Sequence, residues 1–333
     1  MTMPEQISPS PAHSRHLRAL RLTLAATDPT VAAALDTARH ELAATLAATP
    51  PTPTTTTLRA ALAALALGDD LAATQLLRLC AAHQTPAGTI PGPSAADDPT
   101  RLYLLLLARY LAWTGDFGTL REHWPHALSA LAHYRSAPPH TGAADWAATL
   151  AELAIAAESI GDQATAALLQ AESANAPAAH PRAPSEPGEP RKDAADIVVY
   201  YIDEILGVHP DAPRNRLVLR PWLPESWDHL ELAGLRFGDA EVTLRYRRSG
   251  DRHHFTIEQE SGAVPARLIF EPAIPANRLV EAIVDGQHAE LDPIAEDGRL
   301  RVPIQVVLDT ARELVFVGGS NLERGGRVRL PVR

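Results

Sequence analysis

The alternation of wholly apolar stretches with one-sided ones sets the first expectation. Leu102 to Trp113 is apolar on nearly every side, so a helix there must be covered all round by protein. Just after it, Leu120, Trp124, Ala127, Leu128, Leu131 and Tyr134 recur at helical spacing on one face, with Arg121, Glu122, His123 and His126 on the other. The pair reads as an inner helix and an outer helix, reversed at Gly115 and Asp116 by a left-handed stop and an N-cap. The same order appears twice more. Leu58 to Leu67, Gly68-Asp69 and a helix carrying Leu76, Leu79 and Cys80 form one copy; Trp146 to Ile160, Gly161-Asp162 and Ala164 to Ala171 form another. The turns at Gly68, Gly115 and Gly161 are spaced by 47 and 46 residues, the period of stacked helical hairpins in an open solenoid or a closed toroid.

Because each Gly-Asp turn joins an inner helix to its outer partner, all three lie at one end of the array. The connections Thr85 to Asp97, Arg135 to Gly142 and Ala174 to Asp193, rich in Pro, Gly, Ser and Ala, therefore lie at the other, beside the N-termini of the inner helices. A ligand site is expected there, since free N–H groups and the positive dipole end favour hydroxyl and carboxylate partners. Asp28 and Pro29 open a further helix to about Ala48, and Pro50 to Thr57 reads as a stiff connector. Ala195 to Leu206 reads as one more inner helix, stopped by Gly207.

The period then falls from 3.6 to 2. Leu217 and Leu219, then Val242, Leu244 and Tyr246, then Phe255 and Ile257, then Leu268 and Phe270 alternate with polar neighbours, with Ser249-Gly250-Asp251 as a hairpin turn and Val315 to Val317 as a late strand. The expected fold is α+β and multidomain: an incomplete N-terminal helical-hairpin (α/α) toroid, then an antiparallel, sandwich-like β-domain. The boundaries are residues 1–27 as a flexible tail, 28–208 as the helical domain with a Pro-rich loop at 174–194, and 209–333 as the β-domain.

Composition narrows the chemistry. A chain of 333 residues, 46% of them hydrophobic, has material for real cores, and a formal charge of -10 disfavours nucleic acid and anionic membrane surfaces as partners. Cys80 is the only cysteine, which excludes an intrachain disulfide and a thiolate zinc cluster. His253 and His254 are adjacent on a strand and face opposite ways, so no metal and no cofactor is expected. With neither a signal segment nor a membrane span in the pattern, the expected location is the cytoplasm.

At this point DDPTRLYLLLLARYLAWTGDFGTLREHW and LGVHPDAPRNRLVLRPWLPESWDHLELAGLRFGDAEVTLRY, set in that order of domains, resemble the six-hairpin glycosidases, and among them the bacterial glycogen-debranching, amylo-alpha-1,6-glucosidase type. The resemblance spans about Asp28 to Gly318. It implies an (α/α)6 barrel that hydrolyses glycosidic bonds, usually with inversion, using a general-acid carboxyl and a general-base carboxylate. It further implies an oligo- or polysaccharide partner of α-glucan type and places Asp98 at the aspartate that holds sugar hydroxyls.

The chain departs from that pattern in having fewer helices than six hairpins require. The gap is placed between Tyr134 and Trp146, where a short segment with Asp145 as its only carboxylate replaces the part that presents the general acid. Glu186 and Glu189, before the last inner helix, are the candidate catalytic carboxylates, although their Pro-rich surroundings are more those of solvated linker charges. Asp98, Trp146 and Asp203 are the candidate substrate-binding residues. Asp98 is also a good N-cap, and Trp146 is equally suited to core packing. Asp203, like Glu204, puts a carboxylate on an otherwise apolar helix, which costs energy unless it is paired or reaches a polar edge. Trp113 and Trp124 sit at core spacing. The leading reading is a degenerate or fragmentary glycosidase whose uncovered inner helices favour homo-oligomerisation. The alternatives are a non-catalytic carbohydrate-binding or scaffold protein and a small active inverting glycosidase.

Overall fold

A computed structural model describes residues 10–48, 52–93, 98–136, 143–175 and 193–319. Helices come first and largely antiparallel sheets follow. The helices are α1 (Pro11–Ala19), α2 (Pro29–Ala47), α3 (Thr55–Ala66), α4 (Asp70–His83), α5 (Pro99–Thr114), α6 (Phe117–Ser136), α7 (Ala143–Ser159), α8 (Gln163–Ala174) and α9 (Ala194–Val199), the last continuing in π winding over Tyr200–Ile205. Their starts are set by short polar side chains. Asp28, Asp69, Asp98, Asp162 and Asp193 each accept a hydrogen bond from a backbone N–H of the following turn, and Thr54 with Thr57 forms a reciprocal capping box. The segment Thr54–Thr57 thus begins α3 instead of completing a connector. Gly68, Gly115 and Gly161 all take positive φ, as the three reversals require. No helix among the described residues is long and apolar enough to cross a membrane.

Helices α3, α5 and α7 pack side by side, each with its outer partner α4, α6 or α8, and α9 packs on the free side of α3, with α2 against both. Helices α5 and α7 are direct neighbours, so the described helices show no break in packing between them, where the sequence pattern placed the gap. The discontinuity lies instead between α7 and α9, which do not pack on each other as α3, α5 and α7 do.

The N-terminal stretch departs from the expected tail. Leu20, Leu22 and Leu24 are buried in alternation, and Thr23–Ala26 forms β1, paired antiparallel with β4 (His229–Phe237). The N–H groups of Arg21 and Leu22 donate to the Leu67 carbonyl, and the His16 ring meets Asp69 at 2.6 Å, which pins α1 to the turn after α3. The alternation is too short to be read from sequence, yet it is sufficient to join the sheet.

The remaining strands are β2 (Val208–Asp211), β3 (Arg216–Leu219), β5 (Ala240–Ser249), β6 (Arg252–Ser261), β7 (Arg267–Phe270), β8 (Ala273–Ile274), β9 (Arg278–Val284), β10 (Gln287–His288), β11 (Ile294–Glu296), β12 (Arg299–Arg301), β13 (Ile304–Val307) and β14 (Arg312–Gly319). The large sheet runs β1-β4-β5-β6-β14-β9-β10, a second runs β13-β7-β3-β2 with β3 and β7 parallel, and a third runs β11-β12-β8. The first two meet through apolar side chains, for example Phe255 of β6 edge-on to Phe270 of β7 at 4.9 Å between ring centres. Trp227, 1% exposed, is the largest of the fully buried side chains.

Candidate functional site

The inner helices present their N-terminal ends to a common cleft of about 490 Å³. Thr55 and Arg59 come from α3, Asp98, Arg101 and Arg109 from α5, Asp145, Thr149 and Glu152 from α7, and Asp196 and Asp203 from α9 and its continuation. Leu62, Leu102, Leu105 and Val199 supply apolar wall between them. The convergence follows from the packing order, since each inner helix starts at the same end of the array.

Arg109 organises the floor. Its Nη1 donates to Asp203 at 2.6 Å and its Nε to Glu152 at 3.3 Å, so one guanidinium joins the two helices that flank the discontinuity. Burial raises the Glu152 carboxyl above the usual range, the charge of Asp203 adds to this, and Arg109 opposes both. Burial also works against the charge on Arg109, but Asp203 and Glu152 together outweigh it and hold the guanidinium protonated. Nearer the mouth, Arg59 pairs with Asp193 at 3.0 Å and with Asp196. Arg101 makes no ion pair among the described residues.

Asp98 is the N-cap of α5, accepting from the Arg101 N–H at 3.2 Å, and it also accepts from the Tyr134 hydroxyl. Burial, then the bond to Asp98, pushes the Tyr134 phenol up. The ring of Tyr134 packs on Trp146 at 4.8 Å, and Trp146 does not contribute to the cleft lining. The structure therefore brings Asp98 and Asp203 into the cleft and places Trp146 against Tyr134. Glu186 and Glu189 lie outside the described residues. We predict that Asp98→Ala lowers stability by about 1–2 kcal/mol through loss of the cap. Asp98→Asn, which keeps a capping oxygen, should lose less than half of that in urea denaturation.

Arg109 and Glu152 escaped the sequence reading, although the signal used for Asp203 was available for both. Each is a charge inside an otherwise apolar inner helix, in LLLLARYLAW and TLAELAIAA. Three such charges on neighbouring inner helices are each other's natural partners.

No protein-family model matches the sequence, and no curated protein matches it. Among solved structures, an alpha-L-rhamnosidase from Dictyoglumus thermophilum is similar over 89% of this chain, with a TM-score of 0.58 and 10% identity. The two share an architecture over that length. This chain spans 50% of the length of that enzyme, and at this identity the likeness speaks to architecture alone. A putative kojibiose phosphorylase from human microbiome also aligns, at 11% identity over 63% of this chain and 23% of its own, with a TM-score of 0.20 that carries no argument.

Proposed function

We propose that the chain is a shortened relative of the six-hairpin glycosidases of glycogen-debranching type, and that its cleft binds α-glucan segments without hydrolysing them. The observation that carries this reading is the convergence of four inner-helix N-termini on one cleft in which Arg109 holds Glu152 and Asp203, and Arg59 holds Asp196. A hydroxyl-rich ligand suits such a wall, because carboxylates and guanidinium groups can take up sugar hydroxyls while Leu62, Leu102 and Leu105 offer surface to the apolar ring faces. In this reading residues 28–208 form the binding unit, and 209–333, as a sandwich, brace it.

Turnover by inversion asks more. It needs a protonated carboxyl and an ionised carboxylate across the scissile bond, roughly 6.5–9.5 Å apart, with a water between. Among the described cleft residues, Glu152 and Asp203 share Arg109, Asp196 is held by Arg59, and Asp98 caps α5 and accepts from Tyr134. Asp145 is the one cleft carboxylate with no side-chain partner among the described residues. The engaged state of the others supports binding over catalysis.

Incubation with maltodextrin and a panose-type branched substrate tests the point. Retention of the protein on immobilised glucan with no release of reducing sugar is the expected result. Sugar release that disappears in Glu186→Gln or Glu189→Gln would instead identify an active inverting glycosidase, and neither release nor retention would remove the carbohydrate reading altogether.

A further inference from the structure

A separate cavity of about 350 Å³ opens between α1, α2 and α4 and shares no lining residue with the cleft. Its size lies within the range of small-molecule sites, roughly 300–1,000 Å³. Leu46, Leu76 and Leu79 form an apolar wall, and His16, Arg15 and Gln75 supply the polar groups. His16 is 5% exposed, so a charged or hydrogen-bonding imidazole here is a costly feature that requires partners. One is in place: Nδ1 meets the Asp69 carboxylate at 2.6 Å, and the other oxygen of Asp69 accepts from the Ala72 N–H as the N-cap of α4. With both Asp69 oxygens fixed, the ring is held in one orientation. The opposite nitrogen, Nε2, has no partner among the described residues and stays reachable from the cavity that the ring lines. Arg15, exposed at the rim, also makes no ion pair among the described residues.

We propose that this cavity is a binding site for a small monocarboxylate with an apolar tail. The carboxylate sits between the Arg15 guanidinium, whose planar fork matches it, and His16 Nε2–H, so that the imidazolium is bridged between Asp69 and the ligand. The tail lies on Leu46, Leu76 and Leu79. The Arg15 guanidinium has no anionic partner among the described residues, and the ligand carboxylate supplies one.

The test is titration of the full chain with sodium hexanoate, followed by calorimetry and by the ring nitrogen signals of His16 in 15N-histidine-labelled protein. Saturable binding that moves the His16 signals is expected, with acetate, which lacks the tail, and hexanol, which lacks the charge, each at least tenfold weaker. Arg15→Ala, at an exposed position, should weaken hexanoate at least tenfold while leaving the melting temperature unchanged. Ala47→Phe, which places a ring in the cavity, should abolish binding. Absence of saturable binding to the wild type, equal affinity for hexanol and hexanoate, or binding that both variants leave intact would each overturn the assignment.

Discussion

Arg109→Met destabilises the protein by about 2–3 kcal/mol at neutral pH, somewhat below the roughly 3–5 kcal/mol found when one partner of a fully buried pair is removed. The reduction reflects partial exposure, since the three side chains retain 20–32% of their surface. The loss comes less from the bonds themselves than from Glu152 and Asp203, left on facing helices without a countercharge. Two consequences separate this from a simple packing defect. Adding Glu152→Gln and Asp203→Asn to Arg109→Met should recover most of the loss. Acid should also recover part of it. Without Arg109 nothing opposes the burial that raises the Glu152 carboxyl above its unfolded value, so the folded state holds the extra proton, and stability present below the ordinary carboxylate range is lost as pH rises through the raised value. Urea denaturation at pH 5 and pH 7 measures both effects.

The second large effect is acid sensitivity centred on His253. The residue is 3% exposed on β6, and its Nδ1 lies 2.9 Å from the Tyr246 hydroxyl. Burial, reinforced by the charge of Arg248, lowers its pKa to about 4. An unfolded histidine binds its proton near pH 6.5, so between about pH 6.5 and 4 the unfolded state holds more protons and stability falls as pH falls. The contribution is on the order of 3 kcal/mol across that window. Burial lowers the pKa of His123 as well, adding in the same direction. His253→Gln removes the titration and keeps an acceptor for Tyr246. Its stability should therefore drop about 3 kcal/mol less than that of the wild type between pH 7 and pH 4.

Local signals were the legible part of this chain. Gly68, Gly115 and Gly161 each precede an Asp that caps the next helix, and a turn of that kind is decided within a few residues, so the three hairpins could be read with their inner and outer faces. The same holds for the β5–β6 hairpin at Ser249-Gly250-Asp251. What escaped was decided by distant partners. The strand at Thr23–Ala26 exists because β4, two hundred residues later, offers it an edge, and α1 is ordered because Asp69 receives His16. The order of helix packing was hidden for a related reason: a short connection between Tyr134 and Trp146 says nothing of which helices touch, and the contact of α5 with α7 is made by side chains outside it. In the cleft, Asp98 was legible through its cap position and Asp203 through its apolar surroundings. The partnership of Asp203 with Arg109 and Glu152 depends on three helices meeting, which no single stretch of sequence records.

We propose that the inner-helix N-termini form a saccharide-binding cleft. A crystal of the protein soaked with maltoheptaose tests it most directly. The account predicts glucosyl units bound between α3, α5, α7 and α9, with hydroxyls on cleft residues such as Asp98, Arg101 and Asp145. Glucan seated on the β-sheets instead, or a cleft that stays free of sugar at saturating concentration, would contradict it.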